Sequence, residues 1–244
     1  MVRLAILIPA RYGAQRFPGK PLEDLCGAPL IVRVCQRASL VTGIDGLCVA
    51  TDDQRIGSAV AKAGFRALMT PRECRNGTER IAAAAEQVRA DGYVNVQGDE
   101  PLVDPGAIAA VADLVRQGAE MATAARPLGS DEEDDRSVVK VVLGEGGRAI
   151  YFSRSLVPFP RNGGEVPPLA HLGIYGFSAA ALRRFASLPE TPLERAEGLE
   201  QLRALFFGHR IDVAVGPWHS VAVDTPSDLE RARAEFLREN RRTA

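Results

Sequence analysis

The sequence predicts an α/β fold with a mostly parallel sheet and helices on its faces. Three observations predict it. Short apolar runs of strand length alternate with amphipathic stretches of helix length, the βαβ rhythm of parallel sheets with right-handed crossovers. The first of these runs is apolar on both faces of the pleat, as a strand covered on both sides must be. Charged, glycine- and proline-punctuated segments follow the strands, on the rim where open α/β sheets bind their ligands.

In chain order, Leu4-Ala5-Ile6-Leu7-Ile8 reads as a fully buried strand. Pro29 can occupy the first turn of a helix reaching about residue 40, with Leu30, Val34 and Ala38 four apart. Residues 47–51 form a second buried strand ending in Asp52-Asp53, then a helix to about 63 and a short strand over 65–69. Thr78 is placed to cap a helix over 79–90, which its alanine run favours. Residues 93–96 are the next strand, with Gln97-Gly98-Asp99-Glu100-Pro101 at its carboxyl end. Pro105 begins another helix, and 121–125 can form a strand.

The acidic run 131–136 marks a change of texture and reads as a solvated loop. Beyond it lie β-rich pieces over 138–143, 149–152 and 171–177, with Gly144-Glu145-Gly146-Gly147 as a hairpin turn. Helices return over 179–188 and 192–208, followed by a strand over 210–215 and a final amphipathic helix over 226–240. No internal repeat or low-complexity linker divides the chain. It reads as a single domain over 1–244 with a β-rich insertion at about 138–178, a candidate dimer arm.

Composition narrows the function classes. The 244 residues, 46% hydrophobic and 25% charged, are those of an ordinary soluble protein able to fill a core. A net charge of -1 gives no case for nucleic-acid binding. No apolar run approaches the length of a membrane span, and the N-terminal run is too short for a signal peptide, so a cytoplasmic protein is expected. Cys26, Cys35, Cys48 and Cys74 never form Cys-x-x-Cys and read as reduced core residues. With His171, His209 and His219 they lack the spacing of a zinc site.

The chemistry begins after the first strand. The loop Pro9-Ala10-Arg11-Tyr12-Gly13-Ala14-Gln15-Arg16-Phe17-Pro18-Gly19-Lys20-Pro21 carries three cations, which suit a polyphosphate; the plain alternative is a solvated basic loop. It is not a P-loop, because five residues separate Gly13 from Gly19 and Pro21 stands where magnesium needs a hydroxyl. No Gly-x-Gly-x-x-Gly follows the strand either, which disfavours a dehydrogenase. Asp99, and Asp224 after the run Ser220-Val221-Ala222-Val223, read as strand-end carboxylates on the same rim. Together they can hold Mg²⁺ against phosphate oxygens; otherwise Asp99 is a turn residue and Asp224 caps the helix starting at Pro226.

These segments resemble the CMP-Kdo synthetases (3-deoxy-manno-octulosonate cytidylyltransferases) over nearly the whole chain. The shared pieces are Ile-Pro-Ala-Arg-Tyr…Arg-x-Pro-Gly-Lys-Pro-Leu over 8–22, Ala-Thr-Asp-Asp over 50–53 and Asn-Val-Gln-Gly-Asp-Glu-Pro over 95–101. They continue with Val-Val-Lys-Val-Val over 138–142, Tyr-Phe-Ser-Arg over 151–154 and His-x-Gly-Ile-Tyr over 171–175. Leu-Glu-Gln-Leu-Arg over 199–203 and Val-Asp-Thr-Pro-x-Asp-Leu over 223–229 complete the set. Each piece is weak by itself; their order and register carry the resemblance.

The resemblance implies a Rossmann-like nucleotidyltransferase sheet and transfer of CMP from CTP to the anomeric hydroxyl of Kdo, releasing pyrophosphate, in lipopolysaccharide biosynthesis. It implies Mg²⁺ on Asp99 and Asp224, with Arg16 and Lys20 neutralising the triphosphate as catalytic residues. Nucleotide contacts fall to Pro9, Ala10, Arg11, Arg16, Lys20, Asn76, Gly77 and Arg80, with cytosine read by backbone near Ala10 and Asn76-Gly77. The sugar acid is expected to meet Arg11, Gln97, Arg154, His171, Tyr175, Glu200 and Gln201. A homodimer built through the β insertion is also implied.

Plainer roles exist for several of these. His171 and Tyr175 share a strand face and suit core packing, Glu200 and Gln201 can lie on a solvated helix face, and Arg203 can pair with Glu200 or Asp212. The chain also departs from the family pattern at Ala14, Cys74, Asn76 and Phe177. Several of these variations fall near the expected acceptor side, so a modified acid such as 8-amino-Kdo, or a sialic-acid-like one, stands beside Kdo. A non-catalytic nucleotide-binding module is the remaining class.

Overall fold

All seven residues of β1 (Leu4–Ala10) are buried, as the two-sided apolar run requires. In the computed structural model, which describes residues 2–13, 16–161 and 166–243, the chain divides into two compact units. One comprises Met1–Ala109 with His219–Ala244, the other Ala110–Trp218.

In the first unit β1 pairs in parallel with β2 (Gly46–Thr51) and β4 (Gly92–Asn95), and β2 pairs in parallel with β3 (Arg66–Met69), giving the order β3-β2-β1-β4. The crossovers run through α1 (Leu30–Ala38), α2 (Gln54–Lys62) and α3 (Gly77–Ala85). α1 covers its strands with an apolar stripe of Leu30, Ile31, Val34, Cys35 and Ala38, whereas α3 buries Thr78 and Arg80 beside Ile81 and Ala84.

Local chemistry sets where these helices start and stop. Pro29 is the N-cap of α1 and not a residue of its first turn, because its extended ψ of 142° keeps it outside the helix. Asn76, not Thr78, caps α3: its Oδ1 accepts the Glu79 N–H at 2.8 Å, and Thr78 is buried inside the first turn. The helix also ends earlier than its alanines suggest. The Tyr93 hydroxyl reaches the carbonyls of Ala85 and Val88, at 3.2 and 2.7 Å, and satisfies groups that a longer helix would have used.

The division between the units falls within α4 (Pro105–Arg116). In the second unit β5 (Met121–Pro127) runs antiparallel to β8 (Leu169–Ser178) and parallel to β9 (Asp212–Val215). The hairpin of β6 (Lys140–Leu143) and β7 (Ala149–Ser153) turns at residues 144–148, and β6 also pairs with β8. These are the expected β pieces, displaced by one or two residues at their ends.

Around them stand α5 (Ala179–Ser187), α6 (Pro192–Glu197) and α7 (Gln201–Phe206). The one helix expected over 192–208 is therefore two. Gly198 adopts φ 63°, ψ 41° and donates its N–H to the Glu194 carbonyl, a left-handed cap that stops α6. In the first unit α8 (Pro226–Thr243) closes the chain, but residues 220–223 form no strand.

The mostly parallel, helix-flanked α/β sheet expected from the sequence is the architecture found. All four cysteines are free thiols, with Cys35 and Cys48 in the core and Cys26 and Cys74 half-buried. Among the described residues no helix is long and apolar enough to cross a membrane.

Candidate active site

The loop after β1 reverses on itself, with the Gly19 N–H donating to the Tyr12 carbonyl at 2.9 Å. Lys20 then opens a single 3-10 turn, Lys20–Leu22, in which Pro21 supplies the preset φ of a helical first turn. This reversal carries a lysine inward until only 9% of it is exposed. A buried ammonium requires partners. Lys20 Nζ donates to Asp99 Oδ2 at 2.7 Å, to Asp224 Oδ1 at 3.1 Å and to the Val223 carbonyl at 2.7 Å. Asp224 Oδ2 accepts from Arg16 Nη2 at 2.9 Å, and that guanidinium is largely exposed.

Asp99 lies just beyond β4, as its place in the sequence suggests. Asp224 gets there differently. The run before it is irregular chain, held by the Val223 N–H on the Asp99 carbonyl at 2.8 Å. Nor does Asp224 cap α8. Thr225 does so, accepting the Asp228 N–H at 3.3 Å, while Asp228 Oδ2 returns bonds to the Thr225 and Asp224 amides. The Asp224 carboxylate is left to Lys20 and Arg16.

A cavity of about 440 Å³ in the first unit gathers most of the expected residues. Pro9, Ala10, Arg11, Arg16, Lys20, Asn76, Gly77, Arg80, Gln97, Asp99 and Asp224 all line it. Phe17, Pro21, Cys74, Arg75 and Gly98 line it as well; none is among the expected contacts, although Cys74 marks a departure from the family pattern. Their signal was adjacency: the first pair lies in the cationic loop, the second beside Asn76, and Gly98 between Gln97 and Asp99. Ala14 lies outside the described residues.

Arg80, 3% exposed, is the most deeply set guanidinium of the cavity. Its Nη1 donates to Thr70 Oγ1 at 2.7 Å and its Nη2 to Asp52 Oδ2 at 3.1 Å. Asp52 and Thr70 are thus part of the site's scaffold. Asp52 was visible as a strand-end acid, but nothing in the sequence tied it to a residue 28 positions on. Tyr12 is pinned in turn by Arg55, whose guanidinium stacks 3.5 Å from the ring centroid. Hydrogen bonding from Arg55 holds the Asp53 carboxyl down at about 2.

Beside this set, Glu100 is a buried acid. Burial pushes its carboxyl up to about 7, against the opposing hydrogen bond from the Ser220 hydroxyl at 2.7 Å.

The remaining expected residues belong to the second unit. His171 and Tyr175 do share a face, with ring centroids 5.4 Å apart, in an aromatic row with Phe152, Phe177 and Phe185. Burial pushes the His171 imidazole down to about 3, so it is neutral at physiological pH. Thr123 Oγ1 donates its single proton to the Ile174 carbonyl at 2.7 Å, so His171 Nε2 is the donor across the 2.9 Å contact to that oxygen.

Arg154 spends its guanidinium on the carbonyls of Glu197 at 2.8 Å and Arg136 at 2.9 Å. Gln201 is 3% exposed in the first turn of α7, not on a solvated face, while Glu200 is half-buried at its N-cap. Arg203 has Glu194 as its main partner, with the Glu200 charge acting on it as well. It forms a buried bidentate pair with Glu194, brought within reach by the break at Gly198.

Among the described residues no three His, Cys, Asp or Glu side chains cluster as a complete metal cage. Asp99 and Asp224, both within 3.1 Å of one ammonium, are nevertheless close enough to serve a common cation. Two carboxylates suit a hard cation that takes its other ligands from phosphate and water. The cavity can therefore take a polyanion: its lining combines the cations Arg11, Arg16, Lys20, Arg75 and Arg80 with the carboxylate pair Asp99 and Asp224, which suits a counter-ion.

Comparison with known proteins adds an independent observation. Residues 5–211 match the family described as cytidylyltransferase. A 3-deoxy-manno-octulosonate cytidylyltransferase of Anaeromyxobacter sp. (strain Fw109-5) is 51% identical over 237 residues, covering 96% of this chain and 97% of the relative. An 8-amino-3,8-dideoxy-manno-octulosonate cytidylyltransferase of Shewanella amazonensis is 44% identical over 237 residues, covering 94% and 97%. A solved CMP:2-keto-3-deoxy-manno-octonic acid synthetase, complexed with CTP, is similar with a TM-score of 0.93 at 40% identity, covering 97% of this chain and 99% of that one. A cytidylyltransferase from Leptospira borgpetersenii, at 18% identity and a TM-score of 0.65, shares the fold alone.

Proposed function

The chain belongs to the cytidylyltransferase family, and on that premise we propose that it moves CMP from CTP to the anomeric hydroxyl of 3-deoxy-manno-octulosonate (Kdo). The anomeric oxygen bonds to the α-phosphorus, the bond from that phosphorus to the bridging oxygen breaks, and pyrophosphate leaves. The hydroxyl proton passes to solvent. The observation that carries this reading is the joining of Lys20, Asp99 and Asp224 in a cavity already lined by Arg11, Asn76 and Arg80.

Such a transfer asks for positioning and charge stabilisation more than for covalent chemistry by the protein. Lys20 neutralises phosphate charge from a nearly water-free position, where an ammonium acts strongly on developing charge. Arg16, at the exposed mouth, suits the departing pyrophosphate. Ala10 and Gly77 leave the backbone open to cytosine. Arg80, braced by Asp52 and Thr70, presents a cation whose orientation is set before the nucleotide arrives.

Asp99 and Asp224 are the residues to hold Mg²⁺. Held there, it would supply charge neutralisation on the triphosphate and acidify the attacking hydroxyl.

For the sugar acid the reading uses Arg11 and Gln97, which line the cavity; the expected His171, Tyr175, Glu200, Gln201 and Arg154 lie in the second unit. His171, neutral and with its one N–H on Thr123, keeps only an acceptor at Nδ1 and offers a carboxylate neither a proton nor a positive charge. Arg154 is the weakest of the set, since chain carbonyls occupy its guanidinium. A homodimer through the β6–β8 region is part of the proposal, supported by apolar Ile150 and Phe159, 60% and 81% exposed there. Use of CTP suits a cytoplasmic location.

The test is pyrophosphate release with CTP, Mg²⁺ and Kdo, beside 8-amino-Kdo and N-acetylneuraminate, with Asp99→Ala as control. Release with Kdo that the substitution abolishes is the expected result. Release only with 8-amino-Kdo would move the acceptor toward that of the 44%-identical relative and keep the chemistry. Silence with every acid despite CTP binding would sink the proposal.

A further inference from the structure

Asp224 stands at the end of a segment with no regular structure, yet it must keep station beside Asp99 to within a fraction of an ångström. A strand would hold such a carboxylate through its ladder. Residues 220–223 have no ladder, so other bonds must hold them. Three do so in the first unit. The Val223 N–H donates to the Asp99 carbonyl at 2.8 Å, Lys20 Nζ donates to the Val223 carbonyl at 2.7 Å, and Ser220 Oγ donates to Glu100 Oε2 at 2.7 Å. Two of these grips come from consecutive residues, Asp99 and Glu100, and they take hold of the segment three residues apart.

Glu100 is an unlikely residue to bury without a purpose, being 9% exposed. Among the described residues its carboxyl meets one hydrogen-bond partner, the Ser220 hydroxyl. The next contacts along the segment are the Val223 bonds to Asp99 and Lys20, and then those of Asp224 itself to Lys20 and Arg16. We propose that Glu100 is a positioning residue: its bond to Ser220 fixes the irregular approach to Asp224, so that Asp224 and Asp99 face one Lys20. The role rests on the cytidylyltransferase reading for its consequence in turnover, but not for its geometry.

The decisive feature is a hydrogen-bond acceptor at position 100, which an amide also supplies. The experiment compares Ser220→Ala, Glu100→Ala and Glu100→Gln with the unsubstituted chain. It reads three quantities: amide hydrogen exchange over residues 219–225, CTP affinity by calorimetry, and turnover by pyrophosphate release. The expected result is exchange about tenfold faster at Val223 and Asp224 in both alanine variants, with CTP affinity within about twofold and kcat down about tenfold. Glu100→Gln restores both exchange and kcat.

Ser220→Ala deletes a single hydroxyl from a half-buried residue and keeps the test alive should Glu100→Ala not fold. Unchanged exchange in Ser220→Ala overturns the proposal. So does faster exchange with kcat untouched, which would make the bond merely structural. Inactivity of the unsubstituted chain with every acid would instead fail the functional reading, and the exchange measurement then decides the positional claim alone.

Discussion

Lys20 shows how one residue type acquires a role from its neighbours. Its ammonium joins two acids that lie 125 positions apart in the sequence, and removing it takes away the cation they share. Lys20→Met should lower turnover by about a hundred- to a thousandfold, measured as pyrophosphate release at saturating CTP. A second expectation concerns His171, whose imidazole burial holds down at about 3 against an ordinary 6.5. The unfolded chain therefore takes up a proton first as pH falls. The stability from a neutral His171 is complete above about pH 6.5 and is lost as pH drops toward 3, by at most about 1.4 kcal/mol per pH unit. Urea midpoints taken between about pH 7 and 4.5 should fall more steeply for the native chain than for His171→Gln. Equal slopes would show that the ring is not held neutral by the fold.

Among the elements, the joints matter more than the helices and strands they connect. β1 and the turn after β4 approach so closely that a Cβ on Gly98 would stand 2.4 Å from the Pro9 carbonyl and 3.3 Å from Ile31 Cδ1. Backbone cannot yield there as a side-chain tip could. Gly98→Ala should cost about 1–3 kcal/mol in denaturant unfolding and weaken CTP binding as well, because Pro9, Gly98 and Asp99 line one cavity. An unchanged CTP affinity in a destabilised variant would separate the joint from the site. The break at Gly198 matters in the second unit: with α6 and α7 apart, Glu194 and Arg203 form their buried pair. A continuous helix would have placed them nine residues apart on one rod, beyond such contact.

For the whole molecule, the division into two units gives CTP binding a location. The cavity lies within the first unit, so a nucleotide bound there stabilises that unit directly. At about a hundred times its dissociation constant CTP should add about 2.7 kcal/mol to stability. Hydrogen exchange should show the protection over residues 9–20, 74–80 and 97–99. Protection confined to the second unit would displace the nucleotide site. The charge balance of the chain adds a consistent point: a net charge of -1 calls for local cations where a polyanion binds, and the cavity supplies them with Arg11, Arg16, Lys20, Arg75 and Arg80.

The alternation of elements, the buried first strand, the cationic loop and most of the residues that line the cavity were legible in the sequence. They depend on local period, on turn chemistry and on short motifs, each contained within a few neighbouring residues. What only the tertiary structure decided were the pairings across long separations. Asp224 reaches Lys20 from irregular chain instead of a strand, Asp52 braces Arg80, Arg203 takes Glu194, and Ser220 reaches Glu100. No periodicity announces such partners. A buried charge or acid accepts whichever complementary group the fold delivers within about 3 Å, and that delivery is settled by the packing of the whole chain.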